Sequence, residues 1–138
     1  MRRTLLGAFV ITAGLFLTAQ STSAHHSFSA KYDSNKSITL KGAVTKVEWA
    51  NPHIYFYLDV KDDSGKVTNW AVEGATPNQL YRRGWKKDSL KIGDVVTVEA
   101  YGAKEEGLHH ANGRSVVLAD GRKVFSGSAD GAPDGGGD

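Results

Sequence analysis

Ile54, Phe56, Leu58 and Val60 alternate with His53, Tyr55, Tyr57 and Asp59, and this alternation limits the fold more than any other feature of the chain. A period of two puts the apolar set on one face and the polar-aromatic set on the other, the signature of a half-buried β-strand. Its apolar face has to meet a second layer. Asp62-Asp63-Ser64-Gly65 reads as a tight turn, and Val67 to Glu73 follows with Thr68, Trp70 and Val72 on one side as the hairpin partner.

Upstream, Ile38, Leu40 and Val44 share one phase of alternation and Val47 and Trp49 the other, with Gly42 near the change. A strand that switches its buried face predicts a bulge or sharp coil of the kind a sheet needs to curl on itself. Trp49-Ala50-Asn51-Pro52 then turns the chain into the His53 strand. Thr76 is a suitable N-cap, Pro77 fits the first helical position and Gly84 ends a helix of about two turns. Leu90 and Ile92 lead into the Gly93-Asp94 turn, Val95 to Tyr101 forms a fourth strand, and Arg114 to Leu118 with Lys123 to Phe125 supplies the last strand material. The expected fold is all-β with one short helix, a small five-stranded OB-fold-like barrel with the helix between strands three and four. A small sandwich or another small barrel fits the same element order.

The two ends read differently from this middle. Arg2 and Arg3, the apolar run from Leu5 to Leu17, and the small residues Thr22-Ser23-Ala24 predict a cleaved signal peptide over residues 1–24. The run is shorter than the ~20 residues a membrane span requires, so no stable membrane insertion is expected after cleavage. Ser126 to Asp138 is Gly, Ser, Ala, Pro and Asp with no apolar anchor, and is expected to be a disordered tail over 126–138. The domain then covers residues 25–125, about one hundred residues around a single core. It has no cysteine, so packing rather than disulfides must stabilise it outside the cytoplasm.

Cleavage also alters the charge balance. The whole chain has 17 basic and 15 acidic residues, and removing Arg2 and Arg3 leaves 15 of each. A nucleic-acid binder needs a concentrated basic surface, and the clusters Arg82-Arg83 and Lys86-Lys87 read as a solvated face beside the helix. Nucleic acid is disfavoured as a partner.

The chemistry-bearing residues are the five histidines, His25, His26, His53, His109 and His110. A chain cleaved after Ala24 begins with His25, whose free amine and imidazole together grip one metal ion, and a further imidazole nitrogen completes a T-shaped copper site. Copper(II) favours such tetragonal nitrogen ligation. Cleavage one residue earlier gives Ala24-His25-His26, which also chelates late divalent metals. His53 is the best internal candidate for the extra ligand. In an OB-like barrel its loop and the loop before the last strand share one rim, which would bring His109 and His110 close to it. Zinc remains an alternative, because imidazole suits it equally. Against this stands the plainer reading of each: a polar, flexible start, a half-exposed strand position beside Tyr55 and Tyr57, and a solvated loop holding Glu105, Glu106 and Gly107.

Glu48 and Glu73 each lie near a strand end, where both could reach a common rim as an acid/base pair or as hard ligands. No nucleophile, phosphate loop or cofactor fingerprint accompanies them, so no enzymatic activity is expected. Trp49, Trp70 and Trp85 read as core or rim packing.

Several segments together resemble a domain-of-unknown-function family of small exported bacterial proteins. They are His25-His26-Ser27-Phe28, Leu40-Lys41-Gly42, Glu48-Trp49-Ala50-Asn51-Pro52-His53, Asn69-Trp70, Pro77-Asn78, Arg82-Arg83-Gly84-Trp85 and Leu90-Lys91-Ile92-Gly93-Asp94. The resemblance spans residues 25–125. It implies a periplasmic or secreted single domain whose His-His start and Asn-Pro-His turn belong to the family pattern, and it implies no activity. His25, His26 and His53 become the leading positions; His109 and His110 lie outside that pattern. Two expectations follow: a periplasmic copper-binding protein, or a non-catalytic module whose Tyr55, Tyr57 and Trp49 face meets a small ligand, a glycan or an envelope protein partner.

Overall fold

A computed structural model of the chain describes residues 28–126. The expected leader, His25 and His26, and residues 127–138 of the expected tail lie outside the described residues. After helical residues 28–31, six strands and one helix follow: β1 (Tyr32–Glu48), β2 (Tyr55–Lys61), β3 (Val67–Glu73), α1 (Pro77–Arg82), β4 (Val95–Ala103), β5 (His110–Leu118) and β6 (Lys123–Ser126). The strands pair in the order β3-β2-β1-β4-β5-β6, and a further β3–β5 pairing closes the first five into a ring. All pairings are antiparallel except that closure, a short parallel contact matching Ala71 with His110, Val72 with Ala111 and Glu73 with Asn112.

The His53 alternation does what its period requires. Ile54, Phe56 and Leu58 are fully buried, and they join Val72, Leu80, Val96, Val98 and Val116 in the main core. The β2–β3 hairpin turns at Asp62, whose carbonyl accepts from Gly65 N–H at 3.0 Å while its carboxylate accepts from Ser64 N–H at 2.9 Å. Gly65 has φ 87°, a conformation that favours glycine. The helix carries the expected cap: the Thr76 hydroxyl accepts from Gln79 N–H, and Pro77 occupies its first turn. Trp85 is buried in the core, and Trp49 and Trp70 pack against it, as expected of packing residues.

Three boundaries differ from expectation. The face switch in β1 is a bulge between Val44 and Lys46, slightly past Gly42. Gly42 serves a different need, since a Cβ there would lie 2.3 Å from the Asp59 carbonyl oxygen. β1 also begins six residues before Ile38, at Tyr32, because its first half pairs with β4 alone. β5 begins at His110 rather than Arg114, so His110 belongs to a strand and not to a loop. The ring closure on β3 recruits Asn112, and pairing with Ala100 of β4 recruits Gly113, into the sheet despite their poor strand propensity. Six strands replace the five expected, since Lys123–Ser126 pairs separately with β5.

Candidate functional site

The outer face of the ring carries a row of residues paired strand to strand. Glu48 of β1 is matched with Tyr55 of β2, Tyr55 with Glu73 of β3, Glu73 with Asn112 of β5, and Asn112 with Tyr101 of β4. Matched residues project to the same side of a sheet, so five polar or aromatic side chains share one surface. The N-terminal segment covers part of it: Phe28 meets the Tyr32 ring at 5.7 Å and the Tyr101 ring edge-on at 5.6 Å, forming a second, smaller core.

Glu73 is the centre of this layer and is 4% exposed. A carboxylate taken out of water needs strong donors, and its Oε2 receives two: the hydroxyls of Tyr32 and Tyr55 each donate at 2.7 Å. The Lys31 ammonium stands 3.6 Å from the same oxygen. Burial, and then the hydrogen bond to Glu73, pushes both phenols well above the usual tyrosine range. The other oxygen, Oε1, lies 3.9 Å from His53 Nδ1.

His53 follows a turn with a cis Asn51–Pro52 peptide and is held against the end of β3. Ile54 N–H donates to the Ala75 carbonyl at 3.1 Å, and Gly74 N–H donates back to Ile54 at 2.9 Å. This pins the ring so that Nδ1 meets the Gly74 carbonyl oxygen at 3.1 Å. A carbonyl only accepts, so Nδ1 carries the proton in that hydrogen bond, and in the neutral ring Nε2 holds the lone pair. The side chain is 17% exposed.

Asn112, the next residue in the row, is completely buried, and among the described residues neither its Oδ1 nor its Nδ2 has a hydrogen-bonding partner. Arg114 lies nearby, its guanidinium 4.9 Å from the centre of the Tyr101 ring with a buried Nε that is likewise unpaired. The closure on β3 brings Asn112 under cover, while Arg114 falls at the irregularity in the β4–β5 pairing.

The remaining histidines occupy separate places. The His109 ring packs on Trp70 at 5.1 Å, and its carbonyl accepts from Ala71 N–H at 2.9 Å. His110 is exposed and lines a cavity of about 260 Å³ with Lys31, Tyr32 and Lys104. Among the described residues no three His, Asp or Glu side chains are grouped to hold a metal ion. The expected three-histidine convergence of His53, His109 and His110 is therefore not built. His53 is turned to Gly74 and Glu73, while His109 is committed to Trp70.

The carboxylates also differ from the shared acid/base rim. Tyr55 lies between Glu48 and Glu73 in the row, so the two are separated by two strand spacings, about 10 Å. Glu48 is served by its own tyrosine, Tyr57, at 2.9 Å, and by Lys46. The Lys46 hydrogen bond, and then that of Tyr57, holds the Glu48 carboxyl below the usual range, and the bond to Glu48 raises the Tyr57 phenol. The hydroxyls of Tyr55 and Tyr57, expected to face a partner, are thus both used within the protein. Trp49 is engaged as well, with Tyr81 at 5.3 Å and Trp85 at 6.3 Å. Sequence reasoning passed over Lys31, Tyr32 and Asn112. The available signal was Tyr55, an aromatic on the polar face of β2 that implies a buried acceptor on the strand beside it.

The chain belongs to a family of unknown function, DUF6152, whose model matches residues 14–112 and so includes all five histidines and Glu73. No curated protein and no solved structure matches the chain.

Proposed function

We propose that this member of the family is an exported, non-catalytic protein that binds one Cu(II) ion through the amine and ring of His25, the ring of His26 and the ring of His53. The ring order β1-β2-β3-β5-β4, with α1 between β3 and β4, supports reading its scaffold as an OB-like barrel. The leader over residues 1–24 supports export to the periplasm or beyond.

The observation that carries the metal reading is the state of His53. Its Nδ1–H is given to the Gly74 carbonyl with Glu73 Oε1 close behind, which leaves Nε2 as the donor for a metal. Metal-bound histidines hand their second ring N–H to a carbonyl or carboxylate in this way. The second support is the tether. Only Ser27 separates His26 from Phe28, a contour of about 7 Å. Phe28 rests on Tyr32, which bonds the same Glu73 that lies behind His53. Nitrogen-rich tetragonal ligation favours Cu(II), and Zn(II) is the competing occupant.

Copper titration of protein processed to begin at His25, beside the same protein extended by one N-terminal Met, tests the reading. One equivalent bound, and an affinity more than about tenfold higher in the processed form, is the expected result. Equal affinity in the two forms removes the terminal amine from the site.

A further inference from the structure

Glu73 bonds the N-terminal segment through one oxygen, which Tyr55 of β2 shares, and faces His53 with the other. Oε2 takes the Tyr32 hydroxyl and faces the Lys31 ammonium, both from the segment that follows the terminal histidines, while Oε1 faces His53. We infer that Glu73 is a positioning residue that couples metal occupancy at His53 to docking of residues 28–32, so that the ion and the N-terminal segment bind cooperatively. This inference rests on the metal reading above and adds how the site is assembled.

The physical basis is charge transmitted through one imidazole. A cation on Nε2 withdraws electron density from the ring, making Nδ1–H a stronger donor toward the Gly74 carbonyl and Glu73 Oε1. The buried carboxylate is then held from both sides. Tyr32 and Lys31 fix it from the N-terminal segment, and His53 fixes it from the end of β3. Linkage makes the effect reciprocal: whatever docking contributes to metal affinity, the metal contributes to docking. His25 and His26 lie three and two residues before Phe28, so the segment that bonds Glu73 is also the one that bears the proposed terminal ligands.

Tyr57 provides an internal control. Its hydroxyl makes a comparable bond to a carboxylate on the same outer face, but that carboxylate is Glu48 rather than Glu73. The experiment measures Cu(II) affinity by competition with a chromophoric chelator for the processed wild type, Tyr32→Phe and Tyr57→Phe. It also measures amide exchange of residues 28–32 in the wild type with and without copper. Coupling predicts a loss of affinity of about fivefold or more in Tyr32→Phe, unchanged affinity in Tyr57→Phe, and slower exchange of 28–32 on adding copper. The exchange measurement needs no variant, so it stands even where Tyr32→Phe folds poorly. A wild type that binds one copper with unchanged exchange at 28–32 overturns the coupling alone. A wild type that takes up no copper overturns the metal reading and the coupling together.

Discussion

Tyr32 donates its hydroxyl to Glu73 at 2.7 Å across 41 positions of sequence, and with the Lys31 ammonium beside it this bond joins the N-terminal segment to the end of β3. The acceptor is a buried carboxylate, so the bond belongs to the stronger, charge-assisted class, with a net contribution of about 1.5–3 kcal/mol. Tyr32→Phe leaves Glu73 with Tyr55 as its remaining short-range donor, and a loss of stability in that range is expected at neutral pH by urea denaturation.

The same geometry sets an alkaline limit. Tyr32 and Tyr55 have phenol pKa values raised by burial and by Glu73, so the folded protein keeps both protons while the unfolded chain releases them near the ordinary tyrosine value of about 10. Below that value both states are protonated and the stabilisation is fully present. Above it the unfolded chain binds fewer protons, and stability falls as pH rises. The urea midpoint is expected to drop steadily from pH 9.5 to about 11.5, with a shallower drop in Tyr32→Phe, which has one such proton fewer. Parallel slopes in the two proteins would show that Tyr32 ionises alike in both states.

The strand next to the site is sensitive to a single methyl. A Cβ at Gly74 would lie 2.7 Å from Ile54 Cγ1, and Ile54 is fully buried beside His53. Gly74→Ala is expected to cost about 1–3 kcal/mol through overpacking and to weaken the proposed Cu(II) binding by shifting the carbonyl that orients His53. A variant of wild-type stability and affinity would show that the His53 turn yields freely.

Asn112 bears a cost without a matching contact. A buried amide with neither end paired forfeits about 1–3 kcal/mol, and the position sits in a strand where a branched apolar residue is favoured. Asn112→Val is expected to raise the urea midpoint by the equivalent of about 1 kcal/mol. A lowered midpoint would mean that the amide is satisfied in solution.

How much of this was legible in the chain depends on range. The β2 alternation, the Asp62 turn, the Thr76-Pro77 cap and the apolar phase of β4 are local patterns, and each appears where its residues predict it. The first half of β1, rich in Ser, Lys and Asn, has no such phase, because it pairs on one side only and its side chains are mostly exposed. β5 hides Asn112 in a strand through a parallel contact with β3, and Gly113 through its match with Ala100 of β4, which no local propensity announces. For the site, His53 was visible as a polar strand residue beside a turn. Its partner Glu73 was visible only as a strand end. That Tyr32, Tyr55 and His53 would all converge on Glu73 depends on pairings among β1, β2 and β3 and on the cover provided by Phe28. The expected shared rim for His53, His109 and His110 is not formed, because His110 opens β5 opposite Ala71 and His109 packs on Trp70, while His53 faces Gly74.

The central claim is that a copper ion is held between a mature N-terminus at His25 and the ring of His53. Native mass spectrometry of untagged wild type and His53→Ala, each purified from the periplasm of cells grown with copper, tests it most directly. The expected result is a chain beginning at His25 that carries one copper in the wild type and none in His53→Ala. A wild type that begins at His25 and carries no copper, or a His53→Ala variant that retains the ion, would contradict the account.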